Sequence, residues 1–105
     1  MLRTIRIQSD ADSDVIEIAY HIAEDSLDAS RRFTAAIENV YEKLLKMPGI
    51  GVTREYNNPR LNGLRMIPVP GFPNYLIFYL TTDSELTIVR VLHGARDIDS
   101  LFSPD

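Results

Sequence analysis

The chain has 105 residues, 45% of them hydrophobic, with no cysteine and a formal net charge of −4. That length suits one small domain, residues 1–105, whose modest core leaves room for a partner to add stability. The missing cysteines exclude disulfides, thiolate catalysis and cysteine-held zinc, and the acidic total argues against direct nucleic-acid binding, where phosphate neutralisation supplies much of the affinity.

The first residues, MLRTIRIQSDADSD, contain no signal-peptide core, and no apolar run reaches the ~18–20 residues a bilayer requires. A cytoplasmic protein without membrane contact is therefore expected. Leu2–Ile7 alternates apolar and polar residues for most of its length. It predicts a short strand at a sheet edge, where Arg3 and Arg6 discourage edge-to-edge pairing.

Ser9 or Asp10 is the expected cap of a first helix ending near Asp25, with acids suited to the positive end of its dipole. Val15, Ile18, Ala19 and Ile22 recur at helical spacing. Tyr20 and His21 fall inside it, and His21 reads as a surface residue. Ser26 or Asp28 opens a second helix ending near Lys46, with Phe33, Ala36, Ile37, Val40, Tyr41, Leu44 and Leu45 as its apolar face. Lys43 and Lys46 suit its carbonyl end, and Met47-Pro48-Gly49 stops it. So short a connection makes an antiparallel helical hairpin, which buries its stripe only against a sheet.

Residues 50–62 read as a loop. Three strands follow, at residues 64–69, 75–81 and 86–92, rich in β-branched and aromatic residues. Residues 70–74 and 82–85 separate them, so the strands should form an antiparallel meander. The tail from Gly94 makes one short helix through Phe102, with Leu101 and Phe102 packing back on the sheet or binding a partner. The expected fold is α+β: an N-terminal strand, a helical hairpin over one face of a small antiparallel sheet, and a short C-terminal helix. The other sheet face is expected to be partly open.

Motifs for a P-loop, a nucleophile elbow, a zinc protease or a dinucleotide fold are absent from the sequence. His21 and His93 are far apart in sequence, so neither a metal site nor a cofactor is expected. Charge is uneven. Asp10, Asp12, Asp14, Glu17, Glu24, Asp25 and Asp28 run without an intervening Lys or Arg, whereas Arg54, Arg60, Arg65, Arg90 and Arg96 make the sheet mildly basic. Such a dipolar surface suits a protein partner of matching charge. Arg65 and Arg90 interrupt apolar strands, and each needs an ion-pair partner or an open groove. Together with Tyr75, Tyr79, His93, Arg96 and Phe102 they form the candidate partner-binding set. Arg65, Arg90, His93 and Arg96 also admit a second reading as a metal-free ribonuclease, with arginines on the phosphate and His93 as acid or base. A third reading has His93 only closing a strand and bonding the turn.

The residues LRMIPVPGFPNYLIFYL and LTIVRVLHGARDI, in the order strand–helix–helix–meander, resemble the RelE/ParE toxin superfamily, and within it the ParE branch. Gly63-Leu64-Arg65, Tyr75-Leu76-Ile77-Phe78-Tyr79 and Val91 to Asp97 carry the resemblance, with Ser30-Arg31-Arg32-Phe33 fitting the second helix. It implies the toxin of a type II toxin–antitoxin pair, held in a hetero-oligomer by a ParD-like antitoxin and acting on DNA gyrase. RelE-like relatives instead cut mRNA on the ribosome with several basic residues and a C-terminal catalytic side chain. The present chain departs from that pattern, with Lys43 and Lys46 as its only lysines and no tyrosine after His93. The expected antitoxin site is the open groove beside Arg65 and Arg90.

Overall fold

A computed structural model describes residues 3–104. The chain runs β1 (Thr4–Ile7), α1 (Ser9–Asp25), α2 (Leu27–Lys46), β2 (Val52–Thr53), β3 (Arg65–Val69), β4 (Phe72–Thr81), β5 (Glu85–His93) and α3 (Ile98–Phe102). Single 3₁₀ turns occupy Pro48–Ile50 and Pro59–Leu61. The sheet order is β1-β5-β4-β3-β2. β1 pairs parallel to β5 at one edge; the other pairs are antiparallel. The expected α+β arrangement is thus present, with β1 at an edge. Leu2 of the expected first strand and the terminal Asp105 lie outside the described residues.

Local chemistry explains most boundaries and corrects some. Ser26 ends α1 and caps α2: its hydroxyl accepts from the Ala29 N–H at 3.0 Å. Neither Ser9 nor Asp10 caps α1, because the helix already starts at Ser9 and Gln8 takes the cap position without a side-chain bond. β4 begins at Phe72 rather than Tyr75. Pro70-Gly71 makes the tight connection, with Gly71 at φ +82, a region that suits glycine. A register shift at Pro68/Val69 then accommodates Pro73, which has no N–H for the ladder. The 50–62 loop contains β2, a two-residue strand too short to leave a periodic signal.

Both sheet faces carry a core. On the hairpin side, Phe33, Ile37, Val40 and Leu44 of α2 pack with Ala11 against Val69, Ile77, Tyr79, Leu86, Ile88 and Val91. Small side chains bring the two helices together, and the Ser30 hydroxyl donates to the Ala19 carbonyl at 2.7 Å. On the opposite face Leu64, Phe78, Val89 and Leu92 are buried under Phe102, with Tyr56, Leu61 and Ile98 packed alongside. The Phe102 ring stands 5.0 Å from Phe78 and 5.0 Å from Tyr56. The face expected to be open is therefore closed around Phe78, because α3 and the loop after β2 supply an apolar lid.

A bulge in β5 sets the geometry of the strand's C-terminal half. Tyr79 pairs with Ile88 and Phe78 with Arg90, so Val89 is the extra residue. Ile88 and Val91 both face the hairpin, while Val89 and Leu92 both face α3. The extra residue resets the alternation and re-aims Arg90.

Candidate functional site

A cleft of about 310 Å³ lies between α1 and the C-terminal end of β5. Ile18, Val91 and Leu92 give it apolar surface; Glu17 and His21 of α1 face Tyr75, His93 and Arg96 across it. Tyr75 and His93 are cross-strand partners, with ring centroids 5.0 Å apart and planes at 86°. Tyr75 is braced from behind by an edge-to-face contact with Phe33 at 5.5 Å. The Ala95 N–H donates to His93 Nδ1 at 3.0 Å. A ring nitrogen that accepts carries no proton, so this bond assigns the Nε2–H tautomer to the neutral ring. The turn is held by Gly94 N–H to Asn74 C=O at 2.8 Å and Arg96 N–H to His93 C=O at 3.1 Å, leaving the Arg96 side chain exposed.

Asp14 forms one wall of the cleft, and both of its carboxylate oxygens are engaged. Its carboxylate accepts from Arg90 Nε at 2.7 Å, Arg90 Nη2 at 2.9 Å and the Val91 N–H at 3.0 Å. The fork is bidentate and largely shielded, with side-chain exposures of 20% for Arg90 and 9% for Asp14. The hydrogen bond to Asp14 raises the Arg90 pKa further above its already high ordinary value. The mid-strand charge at Arg90 thus has an ion-pair partner, from a helix 76 residues earlier in the chain.

Arg65 and Tyr79 act together elsewhere. Arg65 Nη1 donates to the Gly51 carbonyl at 2.7 Å and to the Gly49 carbonyl at 3.2 Å. The Tyr79 hydroxyl accepts from the Gly51 N–H at 2.9 Å and donates to the Pro48 carbonyl at 2.7 Å. Burial pushes the Tyr79 pKa up, against the opposing pull of the Gly51 N–H and the Arg65 charge.

Of the seven candidate residues, the cleft unites Tyr75, His93 and Arg96, with Arg90 behind its Asp14 wall. Arg65 and Tyr79 pair with each other across β3 and β4, whereas His93 pairs with Tyr75. Tyr75 and Tyr79 are four residues apart, about 13 Å along an extended strand. The expected groove uniting Arg65 with Arg90 does not form, since each guanidinium is bonded to a different part of the chain. The four residues of the ribonuclease reading are likewise not gathered around one point. Phe102 lies on the far face at 4% exposure, so it packs back on the sheet.

The α1 side of the cleft is not marked by any motif in the sequence. Asp14, Glu17, Ile18 and His21 share one helical face, and that spacing was the available signal. His21 is 74% exposed and lies 3.4 Å from Glu24, yet it borders the same cleft as His93. No group of three His, Cys, Asp or Glu side chains among the described residues is arranged to hold a metal ion. What the cleft offers is an apolar floor, the His93 Nε2–H and Arg96 as donors, and Glu17 as an acceptor. That set can donate and accept hydrogen bonds around an apolar contact.

No curated protein sequence matches the chain. A solved structure described as "Chromosomal ParDE TA system from P. aeruginosa" superposes with a TM-score of 0.69 at 15% identity, covering 88% of this chain and 96% of that one. At that identity the likeness is one of fold. The family model for the ParE toxin of the type II toxin–antitoxin system parDE matches residues 5–98, nearly the whole chain. The chain belongs to the ParE toxin family.

Proposed function

We propose that this toxin acts without catalysis, by binding DNA gyrase in the cytoplasm through the Tyr75–His93–Arg96 cleft, and is neutralised by a cognate ParD-like antitoxin in a hetero-oligomer. The observation carrying this reading is the dispersal of the phosphate-binding candidates. Arg90 is bonded to Asp14 and Arg65 to the 49–51 backbone, so neither is free to clamp a scissile phosphate beside His93. The cleft instead combines apolar surface with a few fixed polar groups, which is the composition of a protein-docking pocket. The net charge of −4 favours a protein target over a nucleic acid.

The test is induction of the toxin without its antitoxin, with purified gyrase assayed in parallel. Gyrase loses supercoiling activity, and the paired substitutions His93→Ala and Arg96→Ala weaken inhibition by about tenfold or more. Intact supercoiling together with codon-positioned mRNA breaks in induced cells would overturn this reading in favour of a ribosome-dependent endonuclease.

A further inference from the structure

Helix α1 buries one side and leaves an aromatic ring on the other. Ala11 and Asp14 are buried, and Val15, Ile18 and Ile22 pack against the hairpin-side core. Those positions recur at helical spacing, so Ile16 and Tyr20, one turn apart, fall off the stripe. Ile16 is 50% exposed and Tyr20 76%. A single exposed ring is ordinary on a protein surface. What sets Tyr20 apart is where it stands.

Tyr20 lines an open hollow of about 410 Å³ on α1 together with Glu17, His21 and Glu24. Glu17 and His21 also line the Tyr75–His93–Arg96 cleft. The two concavities therefore share a wall. A stable protein interface covers about 800 Å² on each partner, far more than a cleft for one or two side chains. A protein seated in the cleft thus extends onto the neighbouring surface, and the hollow adjoins it directly.

The charge around the ring has one sign. No Lys or Arg occurs in α1, and among the described residues Asp14 is the only acid of this helix within salt-bridge reach of one. Glu17 and Glu24 stand three residues before Tyr20 and four after it, the spacings at which side chains on a helix are neighbours. Glu24 lies 3.4 Å from His21, and both side chains are about three-quarters exposed. An aromatic face between two carboxylates suits a cation: a guanidinium stacks on the ring and forks to a carboxylate, and an ammonium makes the same two contacts as a point charge.

We infer that the outer face of α1, centred on Tyr20, continues the target-binding surface beyond the cleft and receives a basic segment of gyrase, one cation of which lies over the Tyr20 ring between Glu17 and Glu24. The ring supplies contact area at little cost in side-chain entropy, and the carboxylates select the basic segment and speed the encounter. The inference rests on the gyrase-docking reading of the cleft and adds to it the chemistry of the partner.

The experiment measures binding of purified toxin to purified gyrase across a salt series. The wild type is compared with Tyr20→Ala, Tyr20→Phe and Glu24→Lys, whose side chains line the hollow and not the cleft. Both positions are exposed, so circular dichroism should report an unchanged fold. The expected result is about tenfold weaker binding for Tyr20→Ala, affinity near the wild type for Tyr20→Phe, and about tenfold weaker binding with a flatter salt dependence for Glu24→Lys. Wild-type affinity in Tyr20→Ala and Glu24→Lys, with weakened binding in His93→Ala/Arg96→Ala, overturns the α1 inference and leaves the cleft reading intact. Weakened antitoxin binding in Tyr20→Ala with unchanged gyrase binding also overturns it, since the face then belongs to the antitoxin. Failure of the wild type to bind gyrase overturns the docking reading, and the inference with it.

Discussion

Asp14 shows how one side chain ties helix, sheet and cleft together. Its carboxylate accepts three hydrogen bonds, two from Arg90 and one from the Val91 backbone. Removing it leaves a shielded guanidinium and a buried N–H without partners, which costs more than the intact pair contributes. Asp14→Ala is expected to destabilise the fold by about 3 kcal/mol, the lower end of the usual range because Arg90 keeps some access to water. Urea denaturation measures this; a loss below about 0.5 kcal/mol would place the pair among ordinary surface ion pairs. An arginine inside an apolar strand announced that it needed a partner. The acids of α1 offered several, and only the β5 bulge decided for Asp14.

At the scale of elements, α3 is short and depends on its cap and its anchor. Asp97 accepts from the Ser100 hydroxyl at 2.6 Å and the Ser100 N–H at 3.3 Å. These bonds hold its carboxyl below the ordinary value of 3.8. A depressed folded pKa stabilises the helix above the unfolded value and is lost as pH falls through the folded one. Acidification below about pH 4 should therefore loosen α3, and Asp97→Asn should remove that pH dependence, with tyrosine fluorescence near Tyr56 as the reporter. Phe102→Ala should cost about 3 kcal/mol in thermal or urea unfolding, since the ring is buried between Phe78 and Tyr56. Most element positions were legible in the sequence, because helix stripes, the Ser26 cap and the Met47-Pro48-Gly49 stop are local signals. β2 was not, since its pairing partner lies in β3 rather than nearby.

For the whole molecule, charge is arranged along the fold: acids on α1, cations near the end of α2 and beneath the Pro48–Ile50 turn. This polarity reaches the interior at Tyr41. Burial, then the nearby Asp12 and Asp14 charges, push its phenol from 10.0 to about 12. A raised folded pKa means the stabilisation is complete below the unfolded value and is lost as pH climbs from 10 towards 12. Alkaline unfolding should steepen across that window, and Tyr41→Phe should flatten it; an unchanged alkaline limb would show that Tyr41 does not govern it.

The sequence by itself determined the α+β class, the order of the main elements and both hairpin helix ends, since periodicity, caps and turn residues act over a few positions; the family came from the resemblance of its strand segments. Tertiary structure decided which charges meet. Arg90 and Asp14 are 76 positions apart, and Arg65 reaches a backbone turn that no side-chain pattern marks. It also decided that Tyr75, His93 and Arg96 share a cleft while Phe102 closes the opposite face. The physical reason is that one extra residue at a bulge reverses the facing of everything beyond it, and nothing in a run of valines and isoleucines records where that residue sits.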